Sequence, residues 1–113
     1  MAKSKRLKRL GEFLPQFLAR YNLTEKFIEN KAIYYWEQAV GREISRNTNP
    51  QHIEKGILYI AVSDSVWLHE LRYLKSQIVN KLNELLIKDE QIKTLLPQDT
   101  KKAIVKEIKF HLK

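Results

Sequence analysis

Residues 56–71, GILYIAVSDSVWLHEL, decide the fold because two hydrophobic periods meet inside them. Up to Val62 the side chains alternate. Leu58, Ile60 and Val62 fall on one face of a strand, and Ile57, Tyr59 and Ala61 on the other. Both sets are apolar, so the strand reads as covered on at least part of each face. From Trp67 the period lengthens. Trp67, Leu71, Leu74, Ile78, Leu82 and Leu85 form one stripe of a long helix, with Arg72, Lys75, Lys81, Asn83 and Glu84 between them. Ser63, Asp64 and Ser65 stand at the junction and offer three capping side chains. On the other flank, Lys55-Gly56 reads as a hairpin turn that returns to a short strand around Ile53, over residues 51–55.

The same stretch pairs an indole with an imidazole, and helical geometry separates them. Trp67 and Leu71 lie about 40° apart around the helix axis, whereas His69 lies about 200° from Trp67. Trp67 therefore reads as a core anchor and His69 as solvent-facing. An anchor of this kind predicts severe destabilisation in Trp67→Ala. Trp36 reads the same way on its own helix. Tyr34 and Tyr59 fall off the main stripes and are the better candidates for exposed rings that bases stack on.

Upstream, Leu7, Leu10, Leu14, Phe17, Leu18 and Tyr21 repeat at helical spacing, interrupted by Pro15, which forces a kink or a break near Leu14. Asn22 and Leu23 make a turn, and Thr24 is the expected N-cap of a second helix. That helix carries Ile28, Ala32, Tyr35, Trp36 and Ala39 and ends at Gly41, which suits a left-handed conformation. Residues 42–50, REISRNTNP, read as polar and turn-rich. Downstream, residues 87–100 are polar around Leu95-Leu96, with a stop at Pro97. Ile104, Ile108 and Phe110 then share one side of a third strand, with Lys106 on that side too. The order helix, helix, strand, strand, long helix, strand implies an α+β two-layer arrangement with a three-stranded sheet.

The chain has 113 residues and a formal charge of +8. Lys3, Lys5, Arg6, Lys8 and Arg9 crowd into residues 1–9, while the other 104 residues balance to only +3. Such asymmetry points to a polyanion partner, and the plain alternative is a solubilising end. The expected division is therefore a basic arm, or the start of the first helix, over residues 1–9, and a single domain over 10–113. The absence of cysteine excludes disulfides and thiolate metal sites and favours a reducing, intracellular setting. No apolar run approaches the length of a membrane span, and the basic N-terminus lacks the apolar stretch of a secretory signal.

Catalytic chemistry is not legible. His52, His69 and His111 stand far apart with no metal-ligand spacing, Gly11, Gly41 and Gly56 are isolated, and no GxSxG elbow occurs. The expectation is a non-enzymatic chain with no metal, no cofactor and no small-molecule substrate.

WEQAVGREIS (36–45), Pro50, GILYIAVSDSVWLHEL (56–71) and LNELL (82–86) together resemble the DciA-like family. The pattern falls on Trp36, Val40, Gly41, Ile44, Pro50, Gly56, Leu58, Ile60, Ser63, Ser65, Trp67, Glu70, Leu71, Leu82 and Asn83, with Ile60 where valine is common. The resemblance runs from Leu10 to Phe110. It implies a fold similar to a type II KH domain and a role in bacterial DNA replication, assisting the replicative helicase onto DNA with affinity for both. It implies no catalysis. No GxxG loop is present, so KH-style RNA clamping is not implied. Many members carry a long disordered C-terminal extension, and functions that depend on one are not expected of a sequence ending at Lys113.

The expected partners are thus single-stranded or duplex DNA, held without sequence preference, and a replicative helicase, in the cytoplasm and away from membranes. Lys3, Lys5, Arg6, Lys8 and Arg9 are the expected phosphate contacts, with Arg42 and Arg46 as a second patch. Two rival readings stay open. One is a protein-interaction module that uses Ile57 and Tyr59 and whose basicity is incidental. The other is an RNA-binding KH relative.

Overall fold

In the computed structural model, which describes residues 14–95 and 104–113, the alternating stretch forms the middle strand of a mixed three-stranded sheet. The elements run α1 (residues 14–20), α2 (Thr24–Val40), α3 (Arg42–Arg46), β1 (Thr48–Glu54), β2 (Ile57–Val62), α4 (Ser65–Lys88), α5 (Glu90–Leu95) and β3 (Glu107–Leu112). β2 pairs antiparallel with β1 and parallel with β3. The architecture is α+β, in the expected order of major elements and consistent with a KH-like fold. No helix among the described residues is long and apolar enough to cross a membrane.

The hairpin closes because Lys55 and Gly56 both adopt positive φ (53° and 83°), as a type I′ turn requires. A Cβ at Gly56 would come within 3.1 Å of the Lys106 side chain. Lys106 therefore lies just before β3, with its aliphatic stem against the turn and its amide donating to the Gly56 carbonyl at 2.8 Å. It does not occupy the strand position that alternation suggests. Gly41 has φ 90° and ψ 165°, a glycine region other than the left-handed helical one expected.

Leu58, Ile60 and Val62 of β2 and Ile108 of β3 are fully buried, facing Ala32 and Trp36 of α2 and Leu71, Ile78, Leu82 and Leu86 of α4. Trp36 is 2% exposed, and its Nε1–H donates to Thr48 Oγ1 at 2.8 Å. That hydroxyl donates in turn to the Ile44 carbonyl at 2.8 Å. One indole thus ties α2, α3 and the start of β1 together. Trp67 is only half-buried against the same core, so it is a lesser anchor than its place on the stripe suggests. Leu71 is the buried partner, and His69 is exposed as expected.

Other expectations need correction. The polar stretch after Gly41 folds as α3, and β1 begins at Thr48 rather than residue 51. β1 tolerates Pro50 because it is an edge strand, and its register shifts between Pro50 and His52. Leu23 rather than Thr24 is the N-cap of α2, without a side-chain bond, because Asn22 at φ 57° closes a tight turn just before it. Phe17 and Tyr21 are 53% and 58% exposed, since Leu18 is the inward residue of α1. Leu86 is fully buried and Leu85 half-buried, reversing their expected roles. Leu7 and Leu10 lie outside the described residues.

Three polar side chains do structural work that periodicity does not reveal. Glu29 Oε2 accepts from the Ile53 amide (3.4 Å) and Glu25 Oε1 from the Lys55 amide (2.9 Å), so α2 covers edge donors that β2 does not use. Asn83, 8% exposed on α4, donates to the Val105 carbonyl and accepts from the Val105 amide, both at 2.8 Å. This two-way bond fixes the backbone just before β3.

Trp36→Ala should lose about 3–5 kcal/mol in urea unfolding, and Trp67→Ala clearly less; an equal loss would mean that the two indoles are equally anchored. Asn83→Ala leaves two buried backbone groups unpaired and should lose about 2–5 kcal/mol. Asn83→Asp, which keeps the acceptor, should also be destabilised, because it removes the donor.

Candidate nucleic-acid interface

α2 and α4 pack on one face of the sheet, and alternation sends the remaining strand side chains to the other. Register across the three strands sets His52 of β1 opposite Tyr59 of β2, and Tyr59 opposite Lys109 of β3. The His52 and Tyr59 rings stack with centroids 4.6 Å apart and planes at 14°. His52 and Lys109 are exposed and Tyr59 is half-buried. One step along, Ala61 lies opposite His111. His111 Nε2 lies 2.8 Å from Gln51 Oε1, a contact that spans β2 from one edge strand to the other. Ala61 is 1% exposed.

Charge is graded along this face. At the hairpin end sit Glu54 and Glu107, the latter 3.4 Å from Lys75 Nζ of α4. Lys109 lies further along, and Lys113, whose amide donates to the Val62 carbonyl, extends β3 at the far end. Neither lysine has a carboxylate at ion-pair distance among the described residues. Thr48, Val62 and Leu112 pair at that far end, and α3 leads directly into it. Arg46 of α3 is exposed. Arg42, one helical turn earlier, is also exposed and stands 4.0 Å from Glu37. The Asp64 carboxylate nearby accepts from the Trp67 amide at 2.9 Å as the N-cap of α4.

The sequence-expected residues are thus divided. Lys3, Lys5, Arg6, Lys8 and Arg9 lie outside the described residues. Arg42 and Arg46 share the exposed side of α3. Tyr34 is 73% exposed as expected, but it sits on α2 away from the sheet, beside Lys31 Nζ at 5.9 Å from its ring. Tyr59 was accessible to sequence reasoning because it lies off the strand's core face. His52, Lys109 and His111 were not, since only the strand register brings them to Tyr59.

The most perturbed titratable cluster among the described residues lies elsewhere. Asp89, 8% exposed between α4 and α5, accepts from the amides of Gln91 (2.9 Å) and Ile92 (3.0 Å) with one oxygen. With the other it accepts from the Tyr35 hydroxyl (2.5 Å) and meets Lys31 Nζ at 3.1 Å. Burial pushes this carboxyl up, but the bonds from Tyr35, Ile92 and Lys31 outweigh burial and hold it below its ordinary value. The hydrogen bond to Asp89, then burial, pushes Tyr35 up to about 12. Both carboxylate oxygens are engaged, so the cluster joins α2 to the α4–α5 corner. No group of three or more histidine, aspartate or glutamate side chains able to hold a metal ion occurs among the described residues.

A family model described as "Dna[CI] antecedent, DciA" matches residues 9–96. Among curated proteins, the chain is similar to a UPF0232 protein of Rhodococcus jostii (strain RHA1), 32% identical over 57 residues, or 50% of this chain and 30% of the relative. It is also similar to a UPF0232 protein of Mycobacterium ulcerans (strain Agy99), 28% identical over 73 residues, or 65% and 39% respectively. The matched segment thus spans about a third of the length of these relatives.

The Asp89 cluster makes a pH prediction with two signs. A depressed carboxyl stabilises above its unfolded pKa, and that contribution is lost as pH falls through the folded value. A raised tyrosine stabilises below its unfolded pKa, and its contribution is lost as pH rises from 10 towards about 12. Urea midpoints measured across pH should therefore show a smaller alkaline loss in Tyr35→Phe than in the unsubstituted chain. Asp89→Asn should show a smaller acid loss.

Proposed function

The chain belongs to the DciA family, and on that membership we propose that it is a non-enzymatic accessory protein of bacterial DNA replication, which binds DNA and assists loading of the replicative helicase. In this reading residues 10–113 form one KH-like unit, residues 1–9 form a basic arm, and the protein acts in the cytoplasm. The family match over residues 9–96 carries the proposal.

Physical support comes from the charge. Five cations in residues 1–9 and the exposed Arg42 and Arg46 supply phosphate contacts that are insensitive to base sequence and sensitive to salt. Sequence-tolerant affinity suits a protein that must act wherever a helicase is to be placed. The helicase contact is a separate surface requirement, since a chain that holds DNA and helicase together must keep both surfaces open at once. Much of the curated relatives' length lies beyond the matched segment, so the activities of the whole relatives enter here only as proposals.

Replacing Lys3, Lys5, Arg6, Lys8 and Arg9 together with glutamine should weaken binding to an oligonucleotide. It should also flatten the salt dependence by up to about 3.5 in slope for single strands. Unchanged affinity and slope would remove the arm from the interface. Co-migration of the purified chain with the purified replicative helicase in gel filtration tests the second partner, and separate elution would contradict it.

A further inference from the structure

We propose that the open face of the sheet, centred on Tyr59 and His52 with Lys109 beside them, is a stacking platform for single-stranded DNA. The inference rests on the DNA-binding reading above and adds a location and a strand preference to it.

Three observations converge on this face. The first is the aromatic pair. The stacked His52 and Tyr59 rings stand on the side of the sheet opposite α2 and α4, where their partners in register are not core residues. His52 is exposed and Tyr59 half-buried, each ring covers one face of the other, and the outer faces of the pair are the π-surface that an unpaired base stacks upon. The second is charge. Lys109 adjoins Tyr59 in register, and Lys113 continues β3 beyond it, while Glu107 is offset by Lys75. A phosphate backbone laid from the aromatic row towards Lys113 meets cations and moves away from Glu54 and Glu107. The third is hydrogen-bonding capacity. His111 Nε2 holds Gln51 Oε1 at 2.8 Å across β2 and its Nδ1 lies 3.2 Å from the Leu112 carbonyl, so the Gln51 amide nitrogen is the donor left to meet a base within the same strip.

A duplex fits this face poorly, because its bases are stacked on one another and closed to the rings. A protein partner is the weaker reading. Its side chains mix imidazole, phenol, lysine, amide and carboxylate, with Ile57 half-buried and Ala61 buried, rather than forming a continuous apolar surface. Within this face, the base-stacking contribution belongs to Tyr59 and His52, and Lys109 adds one salt-sensitive contact to those of the other cations. The two are separable by experiment.

The test uses the full chain and fluorescence anisotropy with a labelled twenty-nucleotide thymidine strand, the same length of duplex and a matching uridine strand, at several salt concentrations. Tyr59→Leu should weaken thymidine-strand binding roughly 5- to 100-fold, the range that one base–aromatic stack is worth. It should leave duplex binding unchanged, and Tyr59→Phe should restore the affinity. Lys109→Gln should lower the salt slope by about 0.7. This exposed substitution decides the matter alone if Tyr59→Leu fails to fold, and an unchanged slope then overturns the site. If Tyr59→Leu folds and binds the thymidine strand as the unsubstituted chain does, while the five-charge variant of the arm loses binding, the platform is overturned and DNA binding stands. No binding by the unsubstituted chain would overturn both. Uridine bound more than tenfold tighter than thymidine would overturn the assignment to DNA.

Discussion

The two-way bond between the Asn83 side chain and the Val105 backbone is the constraint on which this sheet depends. β3 is parallel to β2, so the chain must leave β2, run the length of α4 and α5, and come back to start in the same direction. Nothing local dictates where that return begins. A buried primary amide has one donor and one acceptor side by side, the same pair that a backbone residue presents. Placed on α4, it receives the incoming chain as a neighbouring strand would. Ile108, three residues later, then falls into the core beside Leu58. By alternation Lys109 and His111 fall on the open face, which is how a helix residue governs the composition of a surface it never touches.

The second constraint is the Trp36 indole. Its bond to Thr48 fixes the path from α2 through α3 into β1. Glu25 and Glu29 then hold β1 along its free edge. Both edge strands are thus positioned by helix side chains, and β2 is positioned by its two neighbours. This division explains why the helical face of the sheet is consumed by packing while the opposite face carries imidazole, phenol, amide and lysine groups. DNA binding by this family member, as proposed, needs such a face only if unpaired bases are contacted.

Much of this was legible in the sequence where hydrophobic periodicity speaks. The alternation in 57–62, the stripe from Trp67 to Leu82 and the Lys55-Gly56 turn all appear in the structure, as does the solvent-facing His69. α3 is not legible because five residues after a glycine, with Ile44 the one apolar side chain among them, carry no period. Asn83 stands in the family pattern, but its role and that of Glu29 are not legible, because a polar side chain that bonds a distant backbone leaves no local signature. Trp67 was overrated because stripe position gives direction but not depth, and it lies in the first turn of α4, near the edge of the core. For the site, Tyr59 could be singled out by its face. Its companions could not, since His52, Lys109 and His111 converge only through a register that includes a parallel, long-range pairing.

If the open sheet face, and not the helical layer, meets unpaired bases, amide chemical-shift mapping of the isotopically labelled chain during titration with an oligothymidine strand will show it. The largest shifts should fall on His52, Tyr59, Lys109 and His111, together with their strand neighbours. Shifts confined to α2 and α4, with the three strands unmoved, would contradict it.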